Sequence, residues 1–211
     1  MTIINGSLLG DIVKFHKPEH HANTAVIVID EMDKKWSSET VENHLVRKQS
    51  QQETLRFCKE LGCRIIVVHE HKEAHPRHIY DVIKKPDFHC TKQALGVLNA
   101  KTEPPLLPFL KERKITSLVL MGGHYRMCVR ESLIGRCSFG LLSSGILNHQ
   151  ITVLTSPSLL ASYRPEMYQL EPKFSADACS FNNKNGDFIA DAQWPVFALH
   201  TGMRIYTKIS D

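Results

Sequence analysis

Five short apolar runs punctuate the chain: Thr24–Asp30 (TAVIVID), Cys63–Val68 (CRIIVV), Ile115–Met121 (ITSLVLM), Gln150–Thr155 (QITVLT) and Met203–Lys208 (MRIYTK). The first, second and third are near-continuous and rich in Val and Ile. Such runs predict strands buried on both faces, which belong in a parallel sheet. Between the first two, Ser37 or Ser38 can cap a helix, with Glu39 and Glu42 favourable in its first turn. Val41, Leu45, Leu55, Cys58 and Leu61 read as its buried stripe, and Gly62 as its stop. Leu106–Lys114 predicts a helix leading into the third strand. Beyond Gly122-Gly123, Met127, Leu133, Ile134 and Cys137 fall at helical spacing, from about Arg126 to a stop at Gly140. A further strand is expected around Val82–Lys84, and a short helix at Trp194–His200.

Strand, helix, strand in this sequence implies right-handed parallel crossovers. The expected fold class is α/β: a doubly wound, mostly parallel sheet with helices on both faces and strand order 3-2-1-4-5. Residues 1–211 read as a single domain. Residues 1–23 form an N-terminal extension without a firm period, and 91–105 a probable irregular insertion.

Composition and charge narrow the function classes. The net charge is +4, with both signs mixed along the chain and no long basic block, so nucleic acid is not an expected partner. No apolar run approaches a membrane span, and without a long apolar segment near residue 1 a signal peptide is not expected. The six cysteines (58, 63, 90, 128, 137 and 179) contain no CxxC pair, which suits a reducing cytoplasm. A small molecule is the expected partner.

Chemistry-bearing residues gather at strand ends. Asp30 closes the first strand, at the mouth where α/β sheets bind ligands. Cys128 follows the third strand and its Gly-Gly exit, in the expected first turn of a helix. Unpaired backbone N–H groups there favour a thiolate and can hold an oxyanion. After the second strand come His69, His71, His75 and His78, whose spacing permits a metal site. His16, His20 and His21, near the terminus, read as solvated.

The segment GGHYRMCV (122–129) resembles the G-V-x-T-x-x-C-V loop of isochorismatase-like cysteine hydrolases, a family that includes nicotinamidases, N-carbamoyl amidases and isochorismatases. VID before Glu31 is similar to the family's V-I-D-x-Q. KPDFHCT is similar to its V-x-K-x-x-Y-S-A-F, with Lys85 in the lysine place, Lys84 as the other register, and Phe88 in the aromatic place. The resemblance covers most of 24–155 and implies an isochorismatase-like, Rossmann-like three-layer fold. It implies an amidohydrolase in which Asp30 takes the proton from Cys128 and Lys85 steadies the charges. The thiolate would form a thioester with loss of ammonia or an amine. Gly123, His124 and Phe88 would surround the substrate, backbone N–H groups of His124 and Cys128 would hold the oxyanion, and Gly123–His124 would be a cis peptide. Homo-oligomers are also implied.

No cofactor is expected; His69, His71 and His75 form the metal-site alternative, since nicotinamidases carry a metal near this position. The chain departs from the family pattern at Glu31-Met32-Asp33, His89–Thr91 and Ser156-Pro157. Those departures leave one rival, a non-catalytic binding protein; the His cluster leaves another, a metal-dependent nicotinamidase-like enzyme.

Overall fold

The computed structural model describes residues 6–16, 23–37, 39–70, 75–138, 141–161, 181–182, 187–188 and 203–205. In chain order the elements are α1 (Gly6–Phe15), β1 (Thr24–Ile29), α2 (Val41–Glu60), β2 (Arg64–His69), α3 (Arg77–Ile83), β3 (Phe88–Thr91), β4 (Leu98–Asn99) and α4 (Leu106–Glu112). Then come β5 (Ser117–His124), a π-helical turn (Tyr125–Val129), α5 (Arg130–Ile134), β6 (Gly135–Ser138), β7 (Leu141–Ser144) and β8 (Thr152–Thr155). The short strands β9 (Leu160–Ala161), β10 (Phe181–Asn182), β11 (Asp187–Phe188) and β12 (Met203–Ile205) complete the described chain.

The main sheet runs β12-β8-β5-β1-β2-β3, and each neighbouring pair is parallel. The five runs alone lie in the order 2-1-3-4-5; the expected 3-2-1-4-5 pattern is found only when β3, at the edge beside β2, is counted as the third strand. Alternation along β1 divides the core. Ala25, Ile27 and Ile29 face one side with Leu106 and Leu110 of α4. Val26 and Val28 face the other with Leu8 and Ile12 of α1, Leu55 and Cys58 of α2, and Ile79 and Ile83 of α3. Helices on both faces of one parallel sheet make a three-layer α/β architecture. From β1 the chain winds one way to β2 and β3, then returns to place β5 on β1's other flank. The carboxyl ends of β1 and β5 therefore flank the switch point, where such sheets bind ligands.

Several expectations change. Val82 and Ile83 end α3, and the additional strand comes later, at β3, where the short run FHCT pairs with β2. Val41 and Leu45 are exposed at 64% and 60%, while α2 buries Arg47, Ser50, Gln51 and Thr54 along with Leu55 and Cys58. Burial in the first half of α2 is decided by ion pairing rather than by apolar spacing. Thr40, rather than Ser37 or Ser38, is its N-cap and accepts the Asn43 N–H at 3.1 Å. Residues 6–15 of the extension are helical, with Leu8 and Ile12 buried one turn apart. His16 at its end is buried and bonded to the Leu61 carbonyl. The 91–105 segment contributes Ala94 and Val97 to the interior rather than only covering it. Among the described residues the cis peptide is Glu103–Pro104, so Gly123–His124 is trans. The expected helix at 194–200, His20 and His21 lie outside the described residues.

The glycine exit of β5 has a steric cause. A Cβ on Gly122, whose φ is +101°, would meet the Ile29 carbonyl oxygen at 2.4 Å. Gly122→Ala should therefore destabilise the fold by about 3 kcal/mol, from backbone strain plus overpacking against main chain. Gly10→Ala in α1, where a Cβ meets nothing within 4 Å, should instead stabilise it by up to about 1 kcal/mol. Urea denaturation of both variants checks the opposite signs.

Candidate active site

Three side chains converge at the carboxyl ends of β1, β3 and β5. Asp30 follows β1 directly, with φ +44°, and its N–H donates to the Val68 carbonyl at 2.9 Å. Its Oδ1 accepts the Glu70 N–H at 2.9 Å, and its Oδ2 lies 2.7 Å from the Lys92 Nζ. Lys92 is fully buried, its ammonium also donating to the Ala94 carbonyl at 2.9 Å. Cys128 lies close enough to Asp30 for the carboxylate to raise the pKa of its thiol. Cys128 is 5% exposed and Asp30 9%.

Lys92 takes the position expected of Lys85. Both Lys85 and Lys84 are exposed and precede β3, whereas Lys92 follows it. Because β3 is parallel to β2, these positions lie at opposite ends of the sheet. At about 3.3 Å per residue, the four-residue strand alone separates them by about 13 Å. Phe88 also opens β3 at the far end, where it stacks on Phe109 of α4 with ring centroids 4.1 Å apart. The rule that singles out Asp30 and Cys128, a polar side chain just beyond a buried strand, finds Lys92 as soon as FHCT is read as a strand.

Cys128 lies in the π-helical turn between β5 and α5, rather than in the first turn of a long α-helix. Gly135, with φ +77°, ends α5 five residues before the expected stop at Gly140. The Cys128 carbonyl accepts the Ser132 hydroxyl at 2.6 Å, which ties the turn to α5. A Cβ on Gly123 would lie 2.8 Å from the Ile29 carbonyl oxygen and 3.6 Å from the Cys128 Cβ. Glycine there lets β5 and the cysteine close against β1. His124 ends β5 and meets Trp36 edge to face, with centroids 5.6 Å apart.

The electrostatics favour a thiol at rest. Burial, then the charge on Asp30, pushes the Cys128 pKa well above its ordinary value, and Lys92 offsets this only in part. This replaces the thiolate expected from a helix N-terminus. Cys90 is likewise pushed up to about 12, mainly by burial.

The histidines form a cluster beside this centre. His69, which ends β2, meets His89 edge to face with centroids 5.8 Å apart, and His75 and His89 are 6.4 Å apart. His75, His89, Thr91, Glu103 and Pro104 line a cavity of about 520 Å³. Among the described residues no group of three His, Cys, Asp or Glu is placed to hold a metal ion; His71 lies outside them. His78 turns instead toward Gln51 of α2, at 2.8 Å. The described donors do not make a metal site.

With this geometry in place, comparison with known proteins places the fold. No protein-family profile matches the chain. No curated protein matches it. Solved structures do match. The pyrazinamidase/nicotinamidase of Streptococcus mutans UA159 superposes with a TM-score of 0.56 at 17% identity, over 87% of this chain and 99% of that one. N-carbamoylsarcosine amidase from Thermoplasma acidophilum gives 0.54 at 13% identity, over 90% and 99%. An isochorismatase-like hydrolase from Alkaliphilus metalliredigens gives 0.53 at 17%, over 88% and 95%. The chain has the isochorismatase-like fold.

One pH dependence follows from His69. Burial lowers its pKa from 6.5 to about 4, so the unfolded chain binds the extra proton first. Stability from this group is complete above about pH 6.5 and is lost as pH falls toward 4, by up to about 3 kcal/mol. His69→Leu should flatten that limb of a urea-midpoint profile between pH 7 and 4. An unchanged slope would show that His69 is not held neutral in the folded protein.

Proposed function

We propose that this protein hydrolyses a small amide or related C–N bond by nucleophilic catalysis at Cys128. The observation that carries the reading is the buried group Cys128, Asp30 and Lys92, with the carboxylate 2.7 Å from the ammonium and near enough to the thiol to raise its pKa. A thiol that is neutral at rest needs a base beside it, and Asp30 is that base. Asp30 takes the thiol proton as sulfur attacks the carbonyl carbon. Lys92 pairs with the Asp30 carboxylate before the transfer and steadies the changing charge during it. The oxyanion is held by backbone N–H groups of the 124–128 turn. As the tetrahedral intermediate collapses, the C–N bond breaks and Asp30 returns the proton to the departing ammonia or amine. Water then attacks the thioester with Asp30 again as base, releasing the acid and restoring the thiol.

The fold's solved relatives named as amidases support the amide class. No step runs through a metal. Homo-oligomeric assembly belongs to the same proposal, as does a reducing cytoplasm, with which the free thiols of Cys58, Cys63, Cys90 and Cys128 agree.

A panel of primary amides and carbamoyl amides, assayed with wild type and single variants, tests the reading. Cys128→Ala and Asp30→Asn should each lower kcat by a factor of roughly 10⁴ or more. Iodoacetamide labelling separates their roles. Asp30→Asn removes the charge that raises the thiol pKa, so Cys128 should label faster near neutral pH even though turnover is lost. Lys92→Met should label more slowly than wild type. Turnover retained in Cys128→Ala sinks the proposal and leaves the metal-dependent reading, whereas no turnover by wild type across the panel leaves the binding-protein reading.

A further inference from the structure

Behind Asp30 stands a second buried polar network that the reaction does not use. Glu31 is fully buried, and its Oε1 pairs with the guanidinium of Arg47, itself 1% exposed. Gln51 Nε2 donates to Glu31 Oε2 at 2.7 Å and to the Leu159 carbonyl at 2.9 Å. Because the Gln51 amide nitrogen serves both acceptors, its oxygen accepts from His78 Nε2–H at 2.8 Å. The Met32 N–H closes back on Glu31 Oε1 at 3.0 Å. Arg47 also grips Glu39 with two bonds, of 2.8 and 3.0 Å. One guanidinium from α2 thus joins two carboxylates of the loop that follows β1.

Stability alone is a poor account of this network. Burying an ion pair costs much of what its attraction returns, and an apolar replacement is often as stable. Its position supplies the better account. Glu31 is the residue after Asp30, and Asp30 has φ +44°. A side chain other than glycine keeps that conformation only where its surroundings over-determine it. On one side of Asp30, β1 is held by β2 and β5. On the other side, Glu31 is held by Arg47 and Gln51.

We propose that Glu31 is a positioning residue: clamped by Arg47 and Gln51, it holds Asp30 in the left-handed conformation that turns its carboxylate toward Lys92 and Cys128. The inference rests on the reading of Asp30 as the base. Glu39 provides a matched control, because it is bound to the same guanidinium but lies farther along the loop.

The test compares Glu31→Gln and Glu39→Gln, with turnover counted per iodoacetamide-labelled Cys128 on a substrate found in the amide panel. Glu31→Gln should lower kcat about 100-fold, the loss expected of a small misplacement of a catalytic group, while KM stays near the wild-type value. Glu39→Gln should lower the melting temperature by a similar amount and leave kcat near wild type. Equal kcat in Glu31→Gln and wild type overturns the inference, as does an equal kcat loss in the two variants. If Glu31→Gln fails to fold, Gln51→Met removes one of the two clamps and should lower kcat by a smaller factor, on the order of tenfold; an unchanged kcat overturns the inference. Asp30→Asn is run alongside. If it retains turnover, the base assignment falls and takes the inference with it; if it is inactive while Glu31→Gln is fully active, only the inference falls.

Discussion

The candidate site depends on a charge that water cannot reach. Lys92 is fully buried, and its ammonium is held by the Asp30 carboxylate and the Ala94 carbonyl. Removing one member of such a pair leaves the other buried and unpaired, at a cost of about 3–5 kcal/mol. The pair therefore constrains three separate stretches of chain: the end of β1, the end of β3 and the segment after it. Cys128 enters this environment from β5, and its protonation follows first from burial and then from the carboxylate of the pair. Burial and the carboxylate keep the proton on sulfur, while the ammonium limits how far they do so. The carboxylate that opposes the thiolate at rest is also the group we propose as its base.

The same constraint explains why the backbone around the site departs from ordinary geometry. Asp30 takes a positive φ, and Gly122 and Gly123 press against the Ile29 carbonyl where a side chain would collide. A π-helical turn, in place of a regular helix start, presents Cys128. The two glycines let β1 and β5 come closer at their carboxyl ends than side chains would allow. Helix α2 is recruited to the same end. Its first half turns Val41 and Leu45 outward and Arg47, Ser50 and Gln51 inward, because two loop carboxylates beside the site need partners there.

What could be read from the residues follows a physical boundary. Continuous β-branched runs have one stable destination, a parallel sheet covered on both faces, so β1, β2, β5 and the α/β class were legible. Asp30 and Cys128 were legible as polar side chains that close or follow such runs. FHCT is too short and too polar to announce itself, and β3 was expected several residues too early. That displacement carried the lysine assignment to the wrong end of the strand, and Phe88 with it. The helical stripe of α2 failed for a different reason. Apolar spacing states which face is free of charge, but burial there was won by groups that pair with one another.

By itself, then, the sequence determined the sheet, its winding and two of the three residues at its mouth, because these follow from local periodicity and from where a buried strand must end. Only the tertiary structure decided that Lys92 is the cation, that Cys128 rests as a thiol, and that Glu31 and Arg47 lie inside. Each of these depends on which charges meet after packing, at contacts made by residues as far apart in the chain as Asp30 and Lys92. Pairing energy in a dry interior is set by the partner and its distance, and neither is written in the spacing of one segment.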